Sequence, residues 1–348
     1  MPLVFDDSRL DDEAALATAD LALRTLAEAG ARVRREAAEA AEAIEKAVAS
    51  FEGEGRPRAV VAAGPDSRLL RAVLEPWCPV PFVAWPHPGL PAWAGTLDLV
   101  VVLAPDGSDT GSASAVAEAV RRGCRLVVAC APGSLVAEHA VGRDSTVLPT
   151  TAGDQLATAV VLLELLDRLD LGPATDPEAV ATALDDAAIA CSPYRDLAVN
   201  PAKMLAIAMA DATPVVWGGS VLAARAARRI AESLRRVSGR AALAGDAEHL
   251  LPVLAAARAR DVFADPLEDA AEEGEARPVL VVLDDGSEDP VLAEHRARLV
   301  ETAREREVRV ETLQAQPGEE LARYASLMVT GMYAVTYLGV GLGAGQVR

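Results

Sequence analysis

Apolar runs alternate with polar turns and amphipathic stretches along most of this 348-residue chain. Leu97–Ala129 reads as strand, polar turn, helix, strand: a Val/Leu run, Asp106-Gly107-Ser108, an Arg-ended helix, then a second Val-rich run. Pro278–Thr312 repeats the plan around Asp285-Gly286-Ser287. An earlier pair, Arg58–Leu74 and Thr213–Leu234, again carries an apolar strand into a glycine turn and a helix. Such tandem α/β halves predict parallel sheets flanked by helices. Open parallel sheets bind ligands just past the C-terminal ends of their strands, so these polar turns are the places to look.

The same pattern predicts the remaining elements. Asp7–Ser50 is helical in period, with Ser8 or Asp11 as cap, and Phe51–Arg58 breaks it before a strand at Ala59–Ala63. Pro76–Trp93 is crowded with proline and reads as an extended crossover or edge strand. A helix from Gln155 to Leu169, capped by Thr151 or Asp154, is followed by another in Thr175–Ala190. Asp265–Arg277 is an acidic connector, read as a solvated loop. A closing helix is expected over Pro317–Leu338, with the glycines from Gly339 onward breaking it. Ala325–Val347 is uncharged and long enough to cross a bilayer, but its Gly, Thr and Tyr content favours a buried helix. The division expected is an N-terminal helical arm (1–52), two α/β subdomains (53–193 and 194–316) and the C-terminal helix (317–348).

Composition narrows the function. Hydrophobic residues are 51% and aromatics 3%, so the cores must be built of Ala, Val and Leu. A formal net charge of −19 excludes general nucleic-acid affinity, which rests on cationic side chains, and obliges an anionic ligand to find local arginines or backbone N–H groups. Cys78, Cys124, Cys130 and Cys191 have no CxxC spacing, and the acidic start MPLVFDDSRLDDEA is unlike a signal peptide. A reduced, cytoplasmic protein without a membrane partner is expected. The two lysines are Lys46 and Lys203, and Lys203 reads as a helix-surface residue.

In the turn Ala104–Thr110, the hydroxyls of Ser108, Thr110 and the following Ser112, with Gly107 and the helix N–H groups, would hold a phosphate. Helix capping is an equal alternative there, and Asp106 and Asp109 would repel a dianion. Gly64-Pro65-Asp66-Ser67 and Gly218-Gly219-Ser220 are further strand-to-helix turns, the second being the better anion site because no carboxylate intrudes in it. Neither is a nucleotide fingerprint. His87, His139, His249 and His295 have no metal-like spacing, so no metal and no cofactor are expected; His249, in GDAEH, is the most site-like of the four.

Five segments in order resemble the sugar isomerase (SIS) domain proteins, specifically the bifunctional phosphoglucose/phosphomannose isomerase family. They are LDLVVVLAPDGSDTGSASAVAEAVRRG, PVPFVAWPHPGLPAW, NPAKMLAIAMADATPVVWGGS, AARAARRIAESL and ELARYASLMVTGMYAVTYLGVGLG. Their order is most similar to the actinobacterial TobH-like branch. The resemblance implies two tandem SIS subdomains, a homodimer, a sugar phosphate as ligand, and aldose–ketose interconversion through an enediol. That reaction needs a carboxylate base and a ring-opening acid.

The chain departs from that family where the chemistry lies. The family's Ser-Tyr-Ser-Gly-Asn-Thr loop is matched by Ala104, Pro105, Asp106, Gly107, Ser108 and Asp109. Its catalytic glutamate falls on Arg236 or a neighbour, with Glu232 one helical turn earlier, and its histidine is best matched by His249. Its terminal lysine has no counterpart in GLGAGQVR. The expected function is therefore a phosphosugar-binding SIS protein with eroded or absent isomerase activity. The alternatives are an active isomerase of fructose 6-phosphate with glucose or mannose 6-phosphate, using Glu232 or Glu248 as base and His249 as acid, and a non-catalytic structural or regulatory dimer.

Overall fold

The computed structural model describes residues 4–53, 55–257 and 277–344. The acidic connector therefore lies, apart from Arg277, outside the described residues. Two compact units emerge, one from Ala29 to Thr182, the other formed by the chain up to Glu28 together with the chain from Ala183. The N-terminal arm is thus divided. Its short helices α1 (Glu13–Ala17) and α2 (Asp20–Ala27) go with the second unit, and α3 (Ala29–Phe51) goes with the first.

The first unit is a parallel sheet of β1 (Val60–Ala63), β2 (Phe82–Trp85), β3 (Leu99–Ala104), β4 (Arg125–Cys130) and β5 (Ser145–Pro149), in spatial order β2-β1-β3-β4-β5. Every pairing is parallel, with Val60 opposite Leu99 and Leu99 opposite Arg125. β3 is buried at all six positions, as a continuous Val/Leu run in a central parallel strand should be. The proline-rich stretch supplies only the edge strand, where missing N–H donors cost least. The helices are α4 (Ser67–Leu74), α5 (Thr110–Arg122), α6 (Leu135–His139) and α7 (Gln155–Arg168). Asp109 caps α5 and Gly123, at φ +66°, ends it.

α3 is tied to this sheet by two side chains one turn apart. Arg32 grips Asp154, the cap of α7, at 2.9 and 2.7 Å. Glu36 is fully buried, and its carboxylate accepts from the backbone N–H of Thr151 (2.8 Å) and Ala152 (2.6 Å). Hydrogen bonds to a charged acceptor contribute about 1.5–3 kcal/mol each, so Glu36→Ala is expected to cost the unit about 3 kcal/mol in urea unfolding. Glu36→Gln, which keeps one acceptor oxygen, should lose about half of that. Equal stability of both variants and wild type would refute the clamp.

α8 (Pro177–Ala190) carries the chain across the boundary at Thr182. The second unit then adds α9 (Pro201–Met209), β6 (Thr213–Gly218), α10 (Val221–Ser238), β7 (Leu243–Ala244), α11 (Ala247–Ala255), β8 (Pro278–Asp284), α12 (Pro290–Glu305), β9 (Arg309–Gln314) and α13 (Glu320–Leu342). Its four strands are parallel in the order β7-β6-β8-β9.

Two expectations are corrected here. α13 does not stop before Gly339; it runs to Leu342 and ends on Gly343 at φ +64°. A side chain at Gly331 would strike Ile230, one at Gly339 Val237, and one at Gly341 Phe5, so these glycines admit neighbours rather than break the helix. α13 is long and apolar enough to span a membrane by length and composition, yet 78% of its apolar window is buried against protein. Lys203 is the second correction. It is not on a surface but 0% exposed, and its Nζ donates to Asp11 Oδ1 (2.6 Å), Pro193 O (2.9 Å) and Arg195 O (3.1 Å).

Candidate functional site

In the first unit the strand order reverses between β1 and β3, which opens a crevice at their C-terminal ends. Both candidate turns sit there. Gly64 has φ +88°, and a side chain on it would meet Ser112 Oγ at 2.6 Å, so the turn after β1 lies directly against the start of α5. Ser67 and Ser112 are each 0% exposed, and neither hydroxyl has a hydrogen-bond partner among the described residues. Buried polar atoms are nearly always paired, so two orphans at neighbouring helix starts single out this crevice.

Two of the carboxylates near this crevice have partners. Asp66 accepts from the side-chain amide of Gln155, and Asp109 accepts from Ser112 N at 2.6 Å as the cap of α5. Asp106 is exposed, as are Ser108 and Thr110 at the rim. Gly107, at φ +63°, is packed on Ser134 and shapes the loop. Two further orphans lie on the same edge, Thr150 Oγ1 just past β5 and Trp85 Nε1 at the end of β2. Sequence reasoning missed both; a polar residue at the last position of a strand, or one past it, was the available signal.

The Gly218-Gly219-Ser220 turn ends β6, beside the second reversal of order, between β6 and β8. The reading of it as free of carboxylate is corrected, because Ser220 Oγ donates to the Asp285 carboxylate from the loop after β8. Ser220 also caps α10 through Ala223 N (3.1 Å). Gly218 is there for packing, since a side chain on it would run into the backbone of Ala223, and Gly219 rests on the Trp217 ring.

The expected acid–base pair is not assembled. Glu232 is exposed and paired with Arg229 at 3.2 Å. At 1.5 Å per residue it lies about 18 Å along α10 from Ser220, and Arg236 about 24 Å, toward the opposite edge of the sheet. His249 and Glu248 are exposed in the first turn of α11, at the C-terminal end of β7. Among the described residues no hydrogen bond or ion pair joins Glu232 to His249.

Two parallel sheets with polar turns at their C-terminal edges define a double-subdomain α/β protein of the SIS type. Residues 198–345 match the family described as "Bacterial phospho-glucose isomerase C-terminal SIS domain". The whole chain shares its fold with tagatose-6-phosphate ketose/aldose isomerase from Escherichia coli, at 14% identity and a TM-score of 0.64, covering 91% of this chain and 92% of that one. It is similarly related to the C-terminal domain of glucosamine-fructose-6-phosphate aminotransferase from Francisella tularensis (13%, TM-score 0.58, 90% and 98% covered). A glucose-6-phosphate isomerase like protein from Thermus thermophilus follows at 18% and 0.50, with 88% and 91% covered. No curated protein matches the sequence. The match to an SIS domain is thus confined to residues 198–345, while the SIS-type fold extends over the chain as a whole.

Proposed function

We propose that this SIS protein binds a phosphorylated sugar, held through its phosphoryl group by the first unit's turns, and that its isomerase activity is eroded or absent. The observation that carries the binding half is the pair of buried, unpartnered hydroxyls of Ser67 and Ser112 at the reversal between β1 and β3. With the rim hydroxyls of Ser108 and Thr110 they put donors around the start of α5, the kind of place where phosphoryl oxygens are held. The similarity to ketose/aldose and glucose-6-phosphate isomerase folds supports a sugar as the rest of the ligand.

The catalytic half follows from what stands where a base should be. Enediol chemistry needs a carboxylate poised over carbon, and removing a general base typically costs ~10²–10⁴-fold. The matched helix turn carries Arg235 and Arg236, while Glu232 is exposed and neutralised by Arg229. A cytoplasmic homodimer of the TobH-like branch belongs to the same reading, through the resemblance of its five segments.

Calorimetric titration of glucose 6-phosphate and fructose 6-phosphate tests this. Ser67→Ala/Ser112→Ala should weaken binding by ~10–100-fold, two lost bonds to a charged group at about 1.5–3 kcal/mol each being an upper bound. Its stability should hold, because an orphan hydroxyl has no hydrogen bond to lose. Turnover between the two sugars should fall well below the ~1–10³ s⁻¹ of ordinary enzymes. Unchanged affinity in the double variant would sink the binding site, and ordinary turnover would sink the eroded-enzyme reading.

A further inference from the structure

α10 and α13 run side by side in the same direction, since Gly331 packs on Ile230 and, eight residues on, Gly339 packs on Val237. Both helices therefore begin at the end where β6 and β8 finish. Three arginines gather there. Arg225 and Arg229 are one turn apart on α10, and Arg323 lies in the first turn of α13. All three are half-buried, and the Nε–H of each is enclosed by protein with no acceptor among the described residues.

Tyr324 stands among them, 4% exposed. Burial pushes its phenol up, while the charges of the nearby Arg225 and Arg229 guanidiniums pull it back. Arg323 is steadied by donating to Asp285 O at 2.7 Å. Glu232 answers Arg229 at 3.2 Å, and the Asp285 carboxylate is taken by Ser220, which leaves Arg225 without a carboxylate partner among the described residues. Two helix N-termini side by side add to the positive field within their first turns.

This is an unusual concentration in a chain of net charge −19. An anion would answer the charge these half-buried guanidiniums carry and offset part of their desolvation. Guanidiniums present planar forks that match phosphoryl oxygens, and a phenol hydroxyl beside two such forks supplies donors from several directions. That geometry suits a tetrahedral oxyanion better than a flat carboxylate.

We propose that Arg225, Arg229 and Tyr324, flanked by Arg323, form a second anion site in the C-terminal unit that takes a phosphoryl group. Inorganic phosphate and the phosphoryl end of a sugar phosphate share this chemistry. The site shares no residue with the turns around Ser67 and Ser112, so the two readings fail independently.

The experiment is a phosphorus NMR and calorimetric titration of the full chain with inorganic phosphate and, separately, glucose 6-phosphate. On a Ser67→Ala/Ser112→Ala background one phosphate site should persist. Adding Arg225→Gln/Arg229→Gln should weaken it at least tenfold, with Arg323→Gln giving a smaller loss. Arg309→Gln, which breaks an ion pair to Glu311 at the opposite end of the parallel strands, should leave it unchanged. If the double arginine variant misfolds by circular dichroism, Tyr324→Phe keeps the ring and should still weaken phosphate several-fold. Equal affinities for the two probes would make the phosphoryl group the whole ligand, and a preference for the sugar phosphate would extend the site to the ring; either supports it. No phosphate bound on the Ser67→Ala/Ser112→Ala background, or affinity unmoved by folded arginine and tyrosine variants, overturns it.

Discussion

Lys203→Met is expected to lower the unfolding free energy of the second unit by about 3 kcal/mol, the lower end of the cost of breaking a buried ion pair. The methionine retains an unbranched stem of similar length, so the loss reports the ammonium group. All three of its protons are taken, by Asp11, Pro193 O and Arg195 O, and the Nζ lies 5.7 Å from the Tyr337 ring centre. Without it the two carbonyls lose their cation. Asp11 is 57% exposed and can turn to water, which holds the cost at the lower end of the range.

The contact is also one of several that pin the N-terminal segment to the second unit. Arg9 Nε donates to Val340 O at 2.7 Å, and Asp6 N donates to Gly341 O at 3.0 Å. Urea unfolding of Lys203→Met and of Asp11→Asn separates the parts. Asp11→Asn should cost only about 1 kcal/mol, as partly exposed pairs do. Losses of equal size in the two variants would mean that the carbonyls contribute nothing and the lysine is merely half of a surface pair.

That lysine shows where sequence reading stops. NPAKMLAIAM has the composition of a helix buried on every side, and Ala202, Leu205, Ala206, Ala208 and Met209 are indeed buried. Met204 is nonetheless exposed, so composition alone does not bury the lysine, and its partners come from residues 8 to 192 positions away and leave no local trace. The strands were legible for the opposite reason. A central parallel strand is apolar on both faces, so Leu99–Ala104 and Pro278–Asp284 announce themselves as runs.

Ser67 and Ser112 could be marked because they open the helices that follow β1 and β3, whereas the fate of Asp66 and Asp109 could not, since Gln155 and the cap geometry decide it. The arginine cluster was hidden in plain composition. AARAARR offers three equivalent arginines, and only the crossing of α13 selects Arg225 and Arg229 over Arg228. Likewise, Gly339 and Gly341 look like helix breakers until Val237 and Phe5 are seen in the space they leave.

Gly218→Ala is the second large expected effect, again about 3 kcal/mol or more, at the top of the range for overpacking. The added methyl would meet the carbonyl carbon and oxygen of Ala223 and lie 2.7 Å from the backbone nitrogen of Ala224. Side chains can rotate out of such a clash, but backbone cannot. α10 would have to lift away from β6, whose last residue is held opposite Leu283 in the sheet register. At about 2–4 °C per kcal/mol for a domain of this size, the melting temperature should fall by ~6–12 °C. Gly239→Ala is the matched control. It has φ +68° but open space around its Cα, so it should cost only the ~1 kcal/mol of a strained left-handed residue. Because Ser220, Arg225 and Arg229 all ride on α10, the same displacement should weaken phosphate binding in the second unit while leaving the turns of the first unit intact. Gly218→Ala melting with wild type would show that the strand and helix have slack at their closest point, and the glycine would then need another reason to be there.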